Sequence, residues 1–150
     1  MPGEEEMPRN EGMATLEPLR GQLYDPEDWT SLTDELGLDY VPCRELLREG
    51  VDAVCARIRD RVGDKQAFIS FDIDVVDPAF APGTGTPEAG GPSSAQALEL
   101  IRGLHGIDFI GFDVMEVIPS YDPGGVTATL AANLAFEMMS LSAVRHRRRM

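Results

Sequence analysis

The chain has 150 residues, about the length of one domain, and 43% of them are hydrophobic, so it can form a packed core. Its 26 acidic and 13 basic residues give a formal net charge of −13. This charge argues against nucleic-acid binding, because phosphate contacts need clustered Lys and Arg. No apolar stretch approaches the roughly 20 residues of a membrane span, and acidic residues occupy the place of a signal peptide's basic region. We therefore expect a soluble, cytoplasmic protein.

The N-terminal region predicts little regular structure. Residues 1–18 contain Pro, Gly and Glu without an apolar period, and we expect a disordered lead-in. Asp25 can then cap a short helix that has Pro26 at its first position. A brief strand is expected over residues 39–41. At the other end of the chain, residues 146–150 form a basic tail that is too short to favour nucleic acid.

One amphipathic helix is predicted over residues 44–62, and Gly63 is a plausible C-cap. Cys55 falls on its apolar stripe, so we interpret this thiol as part of the core. With Cys43 it makes only two cysteines, too few for a disulfide framework. The apolar positions, at spacings of three and four, are Leu47, Val51, Val54, Cys55, Ile58 and Val62.

Two apolar runs, residues 67–76 and 109–117, have the composition of buried parallel strands. Between them Ser93 or Ser94 caps a predicted helix. A long helix over residues 126–144 follows the second run. The order helix, strand, helix, strand, helix predicts an α/β fold with a parallel sheet.

Asp72 and Asp74 lie two residues apart in the first predicted strand, so their side chains should project from the same face. Burying two like charges without a partner would cost several kcal/mol. A divalent cation such as Mg²⁺, Mn²⁺ or Ca²⁺ would remove that cost, since such ions prefer carboxylate oxygens. We therefore predict that Asp72 and Asp74 bind metal, the alternative being a solvated pair. Asp77 either supports this pair or caps the turn.

Residues 77–92 form a loop rich in Pro and Gly. In open α/β sheets ligands bind beyond the carboxyl ends of the strands, which is where this loop falls. It is not a Walker loop, because no Gly-Lys-Ser sequence follows. The loop is therefore a candidate part of a binding site for some other ligand.

Glu116 ends the second predicted strand at the corresponding position. It is a candidate recognition carboxylate for a cationic group; the alternative is a glutamate that faces a helix or caps a loop. Asp113 differs from Glu116 in parity, so a regular strand would direct the two side chains to opposite faces.

Only two histidines occur, His105 after a predicted helix and His146 in the basic tail. Neither follows a strand, so we expect both to be exposed and structural. If the protein were a hydrolase with a histidine proton shuttle, that histidine would have to be one of these two.

The motifs resemble the signature of the ureohydrolase (arginase/agmatinase) family, and more narrowly its agmatinase branch. The resemblance extends over residues 19–145 and implies the C-terminal part of a three-layer α/β/α parallel-sheet fold. It rests on Ser70-Phe71-Asp72-Ile73-Asp74-Val75-Val76-Asp77-Pro78, Ala81-Pro82-Gly83-Thr84-Gly85-Thr86-Pro87-Glu88, Gly111-Phe112-Asp113-Val114-Met115-Glu116-Val117, Asn133-Leu134-Ala135-Phe136-Glu137 and Arg20-Gly21-Gln22-Leu23-Tyr24.

The resemblance implies manganese-dependent hydrolysis of a guanidino compound, agmatine or guanidinobutyrate, to urea and an amine. By the same resemblance Asp72 would bridge two Mn²⁺ ions, Asp74 would bind one of them, and Glu116 would hold the guanidinium group. Family members commonly form trimers or hexamers, so a homo-oligomer is implied.

The sequence departs from the family pattern in its metal ligands. Members carry a Gly-Gly-Asp-His motif, an Asp-Ala-His-x-Asp motif and a further histidine upstream, and none of these motifs occurs here. Two aspartates alone should hold Mn²⁺ weakly. The alternative to an active ureohydrolase is thus a non-catalytic fragment, or a complementing half that binds a partner subunit.

Another enzyme class also fits the first strand loosely. In haloacid-dehalogenase-type phosphatases a first Asp, here Asp72, is the nucleophile and a second, here Asp74, is an acid. That pattern needs a downstream lysine, but Lys65 is the only lysine and lies upstream. Phosphatase activity that Asp72→Asn abolished would support this alternative.

We predict that the isolated chain, loaded with Mn²⁺, releases no urea from agmatine above the rate of a protein-free control. The physical reason is the shortage of metal ligands. A colorimetric urea assay checks this, and measurable urea release would contradict it.

Overall fold

The computed structural model describes residues 14–15 and 37–148, with side chains described over residues 37–144. The predicted helix at Asp25 and Pro26 lies outside these residues, as does most of the segment 1–18. The described strands are β1 (Ala14–Thr15), β2 (Asp39–Tyr40), β3 (Gln66–Asp72) and β4 (Asp108–Met115), and the helices are α1 (Cys43–Glu49), α2 (Val51–Val62), α3 (Ser94–Gly103) and α4 (Val126–Arg148).

The described strands form two parallel pairs, β1 with β2 and β3 with β4. The predicted parallel arrangement of the two apolar runs is therefore confirmed. In the β3–β4 pair the last partners are Asp72 and Met115. Because both strands end at the same edge, the segments that follow them lie close together. Ala14 and Thr15, which lie in the segment predicted to be disordered, pair with Asp39 and Tyr40 of β2. For the rest of that segment, disorder stays a prediction.

The predicted single helix over residues 44–62 is wrong in one respect, because the chain forms two helices that meet at Gly50. Gly50 has φ 89°, a left-handed conformation that an α-helix cannot contain and that glycine adopts without strain. Because of this break, α1 does not continue the apolar face that was predicted for a single helix. Leu46 is buried, whereas Leu47, which was predicted to be on the apolar face, is exposed. Gly63 directly follows α2, as predicted, and its N–H donates to the carbonyl of Arg59.

The first predicted strand ends earlier than the apolar run suggested. β3 stops at Asp72, and residues Ile73–Val75 form one 3-10 turn. The side chain of Asp72 caps this turn by accepting a hydrogen bond from the N–H of Asp74. The apolar residues of the run stay buried although they are not in a strand, which is why composition alone overestimated its length.

The two other helices predicted within the described residues are confirmed. Ser93 caps α3 and forms a capping box with Gln96, since each side chain bonds the other residue's N–H. The final helix begins at Val126, as expected, and its backbone continues past the predicted end to Arg148. No helix among the described residues combines the length and apolar character of a membrane span.

The helices pack on one face of the β3–β4 pair. One cluster joins the sheet to α3 and α4, and a second joins it to α1, α2 and α3. Cys55 is fully buried in the second cluster, as predicted. The first cluster contains Phe71, Ile73, Val75, Val76, Ala81, Ala97, Ile101, Leu130, Leu134 and Met138.

The opposite face of this strand pair is exposed in the described part of the chain. Phe68 and Met115 lie on it, and each is about half exposed. A register shift after Ala67 leaves Ile110 without a partner in β3, and Ile110 is 66% exposed. Apolar surface of this kind is typical of a face that packs against further structure.

We expect Leu134→Ala to lower the free energy of unfolding by about 2–5 kcal/mol, because Leu134 is fully buried between α4 and the sheet. Phe136→Ala is the matched control on the same helix, since Phe136 is 62% exposed. It should change stability by about 0.5 kcal/mol or less. Urea denaturation followed by circular dichroism measures both, and equal losses would contradict this packing.

Candidate active site

Asp72 and Asp74 lie at the carboxyl end of β3, on different structural elements. Asp72 is the last residue of the strand, whereas Asp74 lies in the following 3-10 turn. The turn brings the two residues together, and the backbone N of Asp74 lies 3.0 Å from Oδ1 of Asp72. The expectation that strand alternation alone would align them was wrong, since the strand ends between them.

The carboxylate of Asp74 is almost completely buried, with 1% of its surface exposed. The hydroxyls of Thr84 and Thr86 donate hydrogen bonds to its two oxygens, Thr84 to Oδ1 and Thr86 to Oδ2. These donors replace water that a buried carboxylate has lost. Asp74 is thus not the solvated group considered as the alternative.

Asp72 is half-buried and lies in a negative environment. Burial raises the pKa of its carboxyl group, and the nearby charges of Asp74 and Glu116 raise it further. The backbone N–H of Asp74 opposes this by stabilising the ionised form. The ionised group is therefore held at a cost that a bound cation would offset.

Glu116 follows β4 in an unusual backbone conformation. Its φ is 64°, and it is the non-glycine residue with positive φ among those described. Such a conformation costs about 1–3 kcal/mol and persists where surrounding structure imposes it, often at functional sites. Because β4 has already ended at Met115, strand parity does not apply, and the side chain lies near enough to Asp72 to affect its pKa.

The three predicted site residues are thus brought together. Asp72, Asp74 and Glu116 come from the carboxyl ends of two adjacent parallel strands, where α/β proteins bind their ligands. Asp113, in contrast, lies within β4 opposite Ser70, and one of its oxygens is buried without a hydrogen-bond partner.

Asp77 closes the loop that follows the 3-10 turn. Its Oδ1 accepts from the N–H of Ala79 and its Oδ2 from the N–H of Gly90, each at 2.8 Å. The N–H of Asp77 donates to the carbonyl of Pro92 at 3.1 Å. Of the two roles considered for Asp77, these contacts support the turn cap, and they extend it to both ends of the loop.

A second set of contacts holds the middle of this loop against the start of α4. The N–H of Gly83 donates to Oγ1 of Thr127 at 2.7 Å, and the N–H of Ile118 donates to the carbonyl of Gly83 at 2.8 Å. A Cβ on Gly83 would collide with Asp122 and approach Thr127 Oγ1 to 2.9 Å, so glycine is required here. Sequence reasoning missed this contact, because nothing in the spacing relates Gly83 to Thr127.

Asp122 in turn caps α4. Its Oδ2 accepts from the N–H of Ala128 at 2.8 Å, and its Oδ1 accepts from the N–H of Thr127 at 3.2 Å. These bonds satisfy N–H groups that the first turn of a helix leaves without intrahelical partners. They also lower the pKa of Asp122, the bond from Ala128 contributing most.

The donor chemistry of Asp72 and Asp74 fits a divalent cation, since both supply carboxylate oxygens at one place. Their number does not complete a site. Over the described side chains, no group of three or more His, Cys, Asp or Glu residues is placed to hold one metal ion. His105 is exposed in a turn after α3, as predicted, and the side chain of His146 lies outside the described residues.

The sequence model of the Arginase family matches residues 19–140. The chain belongs to the arginase family. It is 47% identical over 125 residues to guanidinopropionase from Pseudomonas aeruginosa, a match that covers 83% of this chain and 39% of the relative. It is also 46% identical over 121 residues to a mitochondrial agmatinase from Gallus gallus, covering 81% of this chain and 35% of the relative.

A solved structure agrees with this assignment. The crystal structure of a hypothetical agmatinase from Burkholderia thailandensis superposes with a TM-score of 0.78 at 39% sequence identity, over 91% of this chain and 41% of that one. The predicted arginase-like α/β fold is therefore confirmed. This chain of the arginase family spans about two fifths of the length of the curated relatives that it matches.

We expect the effect of Asp122→Asn on stability to depend on pH. A carboxyl whose folded pKa lies below its ordinary value of 3.8 stabilises the fold above that value, and the stabilisation is lost as pH falls through the folded pKa. The stability gap between the wild type and the Asn variant should therefore be largest near neutral pH and shrink below about pH 4.

Thermal unfolding at a series of pH values measures this gap. Asp60→Asn, which removes an exposed carboxylate from α2, controls for the loss of one negative charge. A gap for Asp122→Asn that stayed constant from pH 7 to the acid limit would show that the cap does not depend on ionisation.

Proposed function

We propose that this chain contributes to an agmatinase-like ureohydrolase, which hydrolyses a guanidino compound to urea and an amine with the help of manganese. In this proposal Asp72 and Asp74 bind metal and Glu116 binds the substrate. The observation that supports it most strongly is the convergence of these three carboxylates at the ends of two adjacent parallel strands.

Glu116 suits the substrate because a guanidinium is a planar cation with N–H donors. A carboxylate can accept two such donors in parallel, which fixes the orientation of the group as well as its charge. Glu116 has a left-handed backbone directly after β4, and its charge lies near enough to Asp72 to raise the pKa of that carboxyl group. The substrate's reacting carbon would thereby lie close to the metal-binding pair.

Asp72 and Asp74 suit Mn²⁺ because they are oxygen donors in a partly desolvated place, where their mutual repulsion favours a cation. A bound divalent ion supplies a Lewis acid and makes water a better nucleophile near neutral pH. Further ligands would have to come from outside the described residues. A complementing polypeptide is one source, and the exposed apolar face around Phe68 and Ile110 favours a chain that packs against more structure.

The substrate is a small guanidino compound, agmatine or guanidinobutyrate, and the name of the Pseudomonas relative adds guanidinopropionate. All three compounds carry the same guanidinium at one end and differ in the length of the chain or in the group at its other end. Because Glu116 would contact only the shared group, the described residues do not distinguish among them. Cytoplasmic location and assembly into homo-oligomers are further parts of this proposal.

A chimera tests the proposal. In this chimera, residues 19–140 of this chain replace the matching segment of the Pseudomonas guanidinopropionase. The rest of the chimera is the sequence of that relative. We expect the Mn²⁺-loaded chimera to release urea from at least one of the three substrates. Glu116→Gln in the chimera should lower kcat/KM about 100-fold or more, because it removes the charge that binds the guanidinium.

Glu99→Gln is the matched control, since Glu99 is an exposed glutamate on α3. It should leave kcat/KM within about twofold of the parent chimera, as expected for a surface substitution. A folded chimera that released no urea from any of the three substrates, or that kept full activity with Glu116→Gln, would contradict the proposal.

A further inference from the structure

Thr84 and Thr86 are the residues whose contacts the proposed function does not yet explain. They lie two positions apart in the loop 77–92, and each donates its hydroxyl hydrogen to a different oxygen of the Asp74 carboxylate. Thr84 is itself 2% exposed, whereas Thr86 lies at the surface. A pair of bonds to both oxygens restricts rotation of the carboxylate about its last side-chain bond more than a single bond would.

The two donors to Asp74 differ in kind from a charged partner. Hydroxyls are neutral donors, so they orient the carboxylate without cancelling its charge, as a Lys or Arg partner would. The two threonines thus orient the Asp74 carboxylate.

The loop that carries the threonines is itself fixed on both sides. Asp77 bonds to its start and end, and Gly83, next to Thr84, is held by the hydroxyl of Thr127 at the beginning of α4. Asp122 closes this connection by capping α4. The positions of the hydroxyls therefore depend on three sets of contacts, made by Asp77, Thr127 and Asp122.

We propose that Thr84 and Thr86 are positioning residues, which hold Asp74 in the orientation in which it binds a divalent cation. This proposal rests on the metal-binding role of Asp72 and Asp74. Groups that hydrogen-bond to a metal ligand fix its direction, and removal of such a group typically weakens metal binding about 10–100-fold. A simpler role would be to satisfy a buried charge, and that role would affect stability without affecting metal affinity in the folded chain.

Manganese binding by the full 150-residue chain separates these roles. The probe is Mn²⁺ alone, followed by the electron paramagnetic resonance signal of the free aqua ion as protein is added. The double variant Thr84→Val with Thr86→Val removes both hydroxyls at nearly constant volume, and the double variant Thr84→Ser with Thr86→Ser keeps both. Circular dichroism sets a temperature at which every variant is folded.

We expect the valine variant to bind Mn²⁺ about 10-fold or more weakly than the wild type, and the serine variant to stay within about twofold. Thr129→Val is the matched control, because it removes a hydroxyl that donates to the carbonyl of Gly125, away from Asp74. If the double valine variant does not fold, Thr86→Val alone is measured instead, since Thr86 lies at the surface; it should weaken binding several-fold.

Equal Mn²⁺ affinity of the folded valine, serine and wild-type chains would overturn the positioning role and leave the metal site intact. A separate variant, Asp72→Asn with Asp74→Asn, measures the uptake of Mn²⁺ by the rest of this acidic chain. If the wild type bound no more Mn²⁺ than this variant, Asp74 would not bind the ion in this chain and the positioning role of the threonines would be overturned. The proposed function would not fail with it, because further ligands complete the site there and the chimera tests it separately.

Discussion

The burial of one carboxylate, Asp74, is the constraint on which the rest of this site depends. A charged group that has lost its water must find hydrogen-bond donors within the protein, or folding becomes unfavourable by several kcal/mol. Here the donors are the hydroxyls of Thr84 and Thr86. Because they come from a loop rich in Pro and Gly, the loop must be held in one conformation for the carboxylate to stay buried.

That requirement explains contacts that otherwise look unrelated. Asp77 ties the two ends of the loop, and Asp122 connects its middle to α4 through Thr127. Such contacts rigidify a segment that composition alone would leave flexible. Two features of the site are unfavourable for stability. The charges of Asp74 and Glu116 lie near Asp72, and the backbone of Glu116 has a positive φ. Clustered negative charge and backbone strain of this kind lower the stability of the fold, and they are typical of sites that bind a cation or a cationic ligand.

Much of the fold could be predicted from the sequence, because local patterns determine it. The apolar runs before Asp72 and Glu116 indicated two parallel strands, and Ser93 indicated the start of a helix. The break at Gly50 could not be predicted with the same rules, since an apolar stripe continues across it and a glycine inside a helix is often tolerated. The early end of β3 was missed because buried 3-10 residues and buried strand residues have the same composition.

The sequence by itself determined which side chains we propose for the chemistry: two aspartates and one glutamate at the ends of apolar runs, in a chain of the arginase family. Only the tertiary structure decided how they are held. The two hydroxyls that donate to Asp74 come from residues 10 and 12 positions away, and the bond from Gly83 to Thr127 joins residues 44 positions apart. Such pairings depend on how a loop folds back over a sheet edge, and no periodicity in the chain encodes that. Strand order placed the carboxylates at one edge, and packing gave them their orientation.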